Sequence, residues 1–182
     1  MRTLIIPAVL ILSSLSGRLA PMPRHGKDQH ETPAATQVTG HAATAPTRPA
    51  LRDELKSMAD RDQQARNAWQ ADGDVIDSKA FAKMQKVDAA NLTRLRAVLS
   101  AHFPTAAEVG EEGVQSAWLM LQHADADPAL QQKMLKRLNP SHLPGGIDHK
   151  AYSLLVDRVR INLKKPQVYG SQFHRVDKTW VP

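Results

Sequence analysis

The chain has 182 residues, no cysteine, 24 basic and 18 acidic side chains, and a formal net charge of +6. Without thiols there are no disulfides, so the fold must rest on its apolar core or on a bound partner. The basic excess is modest and forms no stripe interleaved with aromatics, which argues against nucleic acid as a partner.

Met1-Arg2-Thr3 is a short cationic start, Leu4 to Leu15 an uncharged apolar run, and Ser16-Gly17 a small-residue end. This is the layout of a signal peptide, here residues 1–20. The run is too short for a membrane-spanning helix, which needs roughly 20 apolar residues. The expectation is an exported protein of the cell envelope, periplasmic or secreted, either released near Ala20 or tethered by an uncleaved leader. Leu15-Ser16-Gly17 leads into the position where a lipoprotein carries its acylated cysteine, but Arg18 stands there, so no lipid anchor is expected.

Residues 21–50 carry Pro21, Pro23, Pro33, Pro46 and Pro49 among Thr and Ala, with almost no large apolar side chain. Such a stretch cannot bury enough surface to offset its ordering entropy, and it reads as a disordered linker. Residues 51–182 then form one domain. Leu51, Leu55, Met58, Ala65 and Trp69 recur on one face of a first helix. A second runs from about Ser78 to Ala101, and His102-Phe103-Pro104 breaks it. A third starts near Glu111 with Val114, Trp118 and Leu121. Asp127-Pro128 reads as an N-cap followed by proline at the first helical position, opening a fourth helix to about Leu138. Asp148 caps a fifth, which Pro166 ends. Val168 to Val176 and Thr179 to Val181 read as two short strands around Asp177-Lys178. The expected fold class is mainly α: a single compact domain of about five helices with a short C-terminal β-hairpin.

Three patches carry more polar chemistry than packing requires. Asp62-Gln63 with Arg66 sets a carboxylate on the seam of Met58 and Ala65, with a cation one turn on; an ion pair at the core edge is the plain structural reading. Asp88 and Asn91 form a similar polar pair. Gln122-His123-Ala124-Asp125 joins an imidazole to carboxylates that suit acid–base work or metal ligation, while His123 near a helix C-terminus also has a structural use. Asp157-Arg158 is followed by Gln167, Tyr169, Gly170 and Gln172. No Gly-rich phosphate loop, paired-His helix or serine elbow is present, and no metal set or cofactor is specified by spacing.

At these patches the chain resembles an uncharacterised bacterial domain-of-unknown-function family, family 6624. The matching pieces are Asp62-Gln63 with Arg66, Asp88 with Asn91, Val109-Gly110, Gln122-His123-Ala124-Asp125, Asp157-Arg158-Val159 and Gln167-Val168-Tyr169-Gly170-Ser171-Gln172-Phe173. The resemblance spans roughly Leu51 to Pro182. It implies that the patches form a recurring polar constellation sharing one pocket, and it implies no reaction.

Two functions compete. The first is a binding module that captures a small ligand or protein partner in the envelope, in the manner of an inhibitor or immunity protein. Gln122, Gln167, Tyr169, Gln172, Asp62, Arg66 and Asn91 are then the ligand-binding candidates. The alternative is a hydrolase, metal-assisted or not. There His123 is general base or metal ligand, Asp125 or Asp157 orients it, and Arg158 holds an anionic substrate group. The binding module is the preferred expectation, and whether the chain is an enzyme stays open at this point.

Overall fold

The computed structural model describes residues 45–138, 140–144, 146–176 and 179–181. The expected signal peptide and nearly all of the expected linker lie outside them. Five helices follow in order: α1 Pro49–Ala71, α2 Lys79–Val98, α3 Ala106–Gln122, α4 Pro128–Arg137 and α5 His149–Asn162. α1 starts at a proline, whose fixed φ suits a first helical position, two residues ahead of the expected domain start. Ser78 caps α2 by accepting from Phe81 N at 3.1 Å. Asp127 caps α4 through Leu130 N at 3.0 Å, and Asp148 caps α5 through Ala151 N at 2.6 Å. Each cap satisfies an N–H that a helix start leaves without a partner.

α1 is the central element and packs on both α3 and α2. Leu51, Leu55 and Met58 of α1, Leu92 and Leu95 of α2, and Val114, Ala117, Trp118 and Leu121 of α3 make one core with Met134, Leu155 and Val159. Gly113 lets the turn before the Gly110 break fold onto α3 beside α1. A Cβ there would lie 2.6 Å from Val109 Cβ and 3.4 Å from Arg52 Cγ. Arg94 clasps Glu54 through Nε at 2.6 Å and Nη2 at 2.8 Å, joining α2 to α1. α3 is broken at Gly110, whose φ of 70° and ψ of 169° only glycine adopts readily. The turn before this break is Thr105–Val109, where the Glu108 carboxylate accepts from Thr105 N at 2.9 Å. The uninterrupted part of α3 therefore begins where the sequence places it, near Glu111.

The expected hairpin is corrected. Residues 168–173 form no strand, because the Asp157 carboxylate takes the N–H groups of Val168, Tyr169 and Ser171 that a ladder would need. Gly170, at φ 64°, turns the chain further out of extension. Among the described residues the domain is thus built from helices, with no sheet layer packed on them. What remains of extended pairing among the described residues is three residues against three, His174–Val176 (β1) antiparallel to Thr179–Val181 (β2). No helix among the described residues is long and apolar enough to cross a membrane.

Candidate functional site

Four elements meet at one polar cluster. α1 contributes Asp62 and Arg66, one turn apart and both buried. α2 contributes Met84 and Asp88, the residue after the end of α3 contributes His123, and α5 contributes Arg158. Arg66 organises the group. Its Nε donates to Asp62 Oδ2 at 3.1 Å and its Nη2 to Asp62 Oδ1 at 3.3 Å. Nη2 also donates to Asp88 Oδ1 at 2.8 Å, and Nη1 lies 3.4 Å from Met84 Sδ. A planar guanidinium suits this fork, since its donors are fixed in one plane.

His123 Nδ1 lies 2.7 Å from Asp62 Oδ2. Arg66 Nε lies 3.0 Å from the same ring nitrogen. Two proton arrangements compete there, and the shorter contact together with an ionised Asp62 places the proton on Nδ1, so that Asp62 Oδ2 accepts from both neighbours as well as from Gln63 Nε2 at 3.2 Å. Burial pushes Asp62 up. The His123 hydrogen bond, with the charges of His123 and Arg66, outweighs this and holds the carboxyl below its usual range. Burial pushes His123 down, helped by the cations Arg66 and Arg158 and opposed by Asp62. The imidazole is therefore neutral at neutral pH. Its Nε2 makes no hydrogen bond among the described residues, and the side chain is 17% exposed.

Arg158 donates from Nη1 to Gln122 O at 2.9 Å, while its Nε is buried without a partner. Burial lowers its pKa, partly offset by Asp125 and reinforced by Arg66; a guanidinium nonetheless stays charged. Its Nη2 makes no hydrogen bond among the described residues. Asp88 is pushed up to about 7, first by burial and then by the adjacent Asp62 carboxylate, against the pull of Arg66.

The structure separates the other sequence candidates from this cluster. Asp125 accepts from Gln131 Nε2 and Asn162 Nδ2, each at 3.3 Å, and joins the ends of α4 and α5. Asp157 does not approach His123. It is fully buried and accepts from Val168 N at 2.7 Å, Tyr169 N at 3.1 Å, and Ser171 N and Oγ at 2.9 and 2.8 Å. The backbone bonds hold its carboxyl below the usual range although burial alone would raise it. Gln167 and Gln172 brace the same loop. Gln167 Nε2 donates to Gln172 O at 2.8 Å, Gln172 N to Gln167 Oε1 at 2.7 Å, and Gln172 Nε2 to Leu154 O at 3.1 Å. Tyr169 is exposed. Gln122 serves the cluster through its backbone carbonyl, and Asn91 Nδ2 makes a long 3.5 Å contact to Met58 O at the α1–α2 seam.

Sequence reasoning missed that Asp62, rather than Asp125 or Asp157, orients His123. It also missed Met84, while Asp88 entered the constellation only through the family resemblance. One signal was present. A carboxylate on an apolar seam beside Met58 and Ala65 needs more than one partner, and a single Arg66 leaves a lone pair to satisfy. Among the described residues no three His, Asp or Glu side chains converge as metal ligands would. An open groove along α1 and α2 collects Arg61, Lys83, Lys86 and Arg94, but it contains neither imidazole nor any group that could act as a base beyond the paired Glu54.

The fold and cluster define a helical domain with a buried carboxylate–imidazole–guanidinium centre. Residues 49–182 match the model of the Family of unknown function (DUF6624), and the chain belongs to that family. No curated protein and no solved structure matches it.

Proposed function

We propose that the chain is a hydrolase in which His123 is the general base and Asp62 its orienting partner. The observation that carries this reading is the 2.7 Å contact between His123 Nδ1 and Asp62, which leaves Nε2 without a hydrogen bond among the described residues. A carboxylate bound at Nδ1 fixes the tautomer with its lone pair on Nε2 and stabilises the imidazolium that forms when water gives up a proton. Arg66 keeps Asp62 ionised and in place. Arg158, whose Nη2 makes no hydrogen bond among the described residues, suits an anionic group of the substrate or the charge that develops as water attacks. The reaction class is general-base hydrolysis of an acyl or phosphoryl bond in a negatively charged substrate.

The test is turnover by the purified chain on a panel of negatively charged p-nitrophenyl esters and phosphodiesters. His123→Ala and Asp62→Asn should lose hydrolysis while keeping the helical signal and cooperative melting. Equal turnover in His123→Ala would overturn the proposal.

A binding role remains as a second reading, favoured by one observation. Val168, Tyr169 and Phe173 are exposed on a loop whose backbone the Asp157 carboxylate holds rigidly. A pinned loop with apolar tips suits contact with a ligand or a protein partner, since little ordering entropy is lost on binding. Export to the envelope belongs to either reading and rests on the leader pattern of residues 1–20.

A further inference from the structure

The groove along α1 and α2 encloses about 470 Å³ and shares no residue with the His123 centre. Its lining follows from helical spacing. Glu54, Met58 and Arg61 recur at steps of four and three on α1, and Lys83, Val87, Ala90 and Arg94 at steps of four, three and four on α2. Lys86 stands beside Val87 on the same stripe. Met58, Val87 and Ala90 give the groove apolar surface, while Arg61, Lys83, Lys86 and Arg94 bring four cations to it. Glu54 is the one carboxylate of the lining, and Arg94 occupies both its oxygens, at 2.6 and 2.8 Å. Arg61 gives one donor to Ser57 Oγ at 2.6 Å. Lys83 and Lys86 make no ion pair among the described residues. Asn91 also lines the groove and is only 7% exposed. Its Nδ2 reaches Met58 O at 3.5 Å, and its Oδ1 makes no hydrogen bond among the described residues. An amide so deeply placed is ordinarily better satisfied.

We propose that this groove binds a small organic dianion, a phosphomonoester or phosphonate head on an apolar body. Four cations against one carboxylate leave three positive charges uncompensated at a single opening, which favours a ligand carrying more than one negative charge. A forked guanidinium and two ammonium groups suit the several oxygens of such a head. Met58, Val87 and Ala90 match the body, and Asn91 completes the amide's hydrogen bonding on the ligand. The volume lies within the range of small-molecule sites, about 300–1,000 Å³, and favours a small ligand over a protein face. The same head occurs free in solution and on phosphatidic acid. No turnover is involved, so the proposal stands apart from the hydrolase reading.

The probe is naphthylmethylphosphonate, whose carbon–phosphorus bond survives hydrolysis, titrated calorimetrically into the full chain at a pH where the head carries both charges. The wild type should bind it with a Kd below about 1 mM. Lys83→Glu combined with Lys86→Glu should weaken binding by about tenfold or more, because the charge excess is cancelled. Both side chains are exposed, so melting should be unchanged. Lys133→Glu with Lys136→Glu, an exposed pair of equal spacing on α4, should stay within about twofold of wild type. Methylphosphonate and naphthylmethanol, the two halves of the probe, should each bind at least about tenfold more weakly, since each lacks one kind of contact. No wild-type binding at several millimolar overturns the proposal. So does an equal Kd in the groove variant, or an equal loss in both double variants, which would reduce the effect to net charge. Vesicles of phosphatidylcholine and phosphatidic acid in equal parts identify the source. Sedimentation with them that the groove variant loses assigns the head to a lipid, and wild type left in the supernatant assigns it to a soluble ligand. Inactivity on the ester panel would bear on His123 and leave this site standing.

Discussion

The molecule buries two aspartates in opposite ways. Asp62 and Asp157 are 1% and 0% exposed. Asp157 is satisfied by backbone N–H groups and one hydroxyl of residues 168–171, all of them groups that neither titrate nor move independently. Asp62 is satisfied by the side chains of His123, Arg66 and Gln63, and the other nitrogen of the imidazole makes no hydrogen bond among the described residues. Equal burial therefore has different consequences. A carboxylate surrounded by peptide groups shapes a loop, and a carboxylate surrounded by a base and a cation tunes chemistry.

That contrast can be broken experimentally. The largest effect should come from His123→Ala, which is expected to lower turnover by about 10²–10⁴-fold, the usual worth of a general base. Its unfolding free energy should fall by only about 1 kcal/mol, because Asp62 keeps its Arg66 partner. Steady-state assays alongside urea melts would check both halves. Asp157→Ala should invert the pattern. It strands three N–H groups of the loop, and urea unfolding should show a loss of about 2–4 kcal/mol. Turnover per folded molecule should stay near wild type. A catalytic loss in Asp157→Ala without destabilisation would erase the distinction between the two aspartates.

The pH dependence of stability sharpens it further. Asp62 and Asp157 both titrate below their ordinary value of 3.8 when folded. Their stabilisation is complete above that value and is lost as pH falls through the lower folded values. Asp88 has the opposite sign. Its folded pKa is raised from 3.8 to about 7, so its contribution is complete below 3.8 and is lost as pH rises toward 7. Asp88→Asn should flatten the decline between these limits and leave the acid limb alone, which urea melts at a series of pH values would reveal. The smallest effect should be Arg94→Ala. It removes a clasp to Glu54 that is largely exposed, and it should cost under about 1 kcal/mol in the same melts.

The helices were legible because their signals are local. Apolar spacing along Leu51 to Trp69 and the caps Asp127 and Asp148 lie within a turn or two of what they specify. So does the Asp62–Arg66 pair, four residues apart. His123 and Asp62 are 61 residues apart, and only the packing of α3 on α1 brings them together. The loop after α5 misled for the same reason. Val168 to Val176 has strand-like composition, but the deciding partner is a carboxylate 11 residues upstream of Val168. Period and propensity carry no information about a side chain that arrives from another element and claims the backbone.

The break at Gly110 bears on mechanical load. Thr47 N and Arg48 N bond to Ala107 O and Glu108 O at 3.0 and 2.7 Å, so the strand of chain entering α1 is fastened to the first turn of α3. A pull applied upstream of Thr47 would pass into that turn as well as along the backbone into α1. Gly110 separates the turn from the rigid stretch that ends at His123. The entering chain is thus fastened at one end of α3 and the imidazole stands at the other with the glycine break between them, while α1, which continues the same chain, carries Asp62 and Arg66 to that imidazole directly.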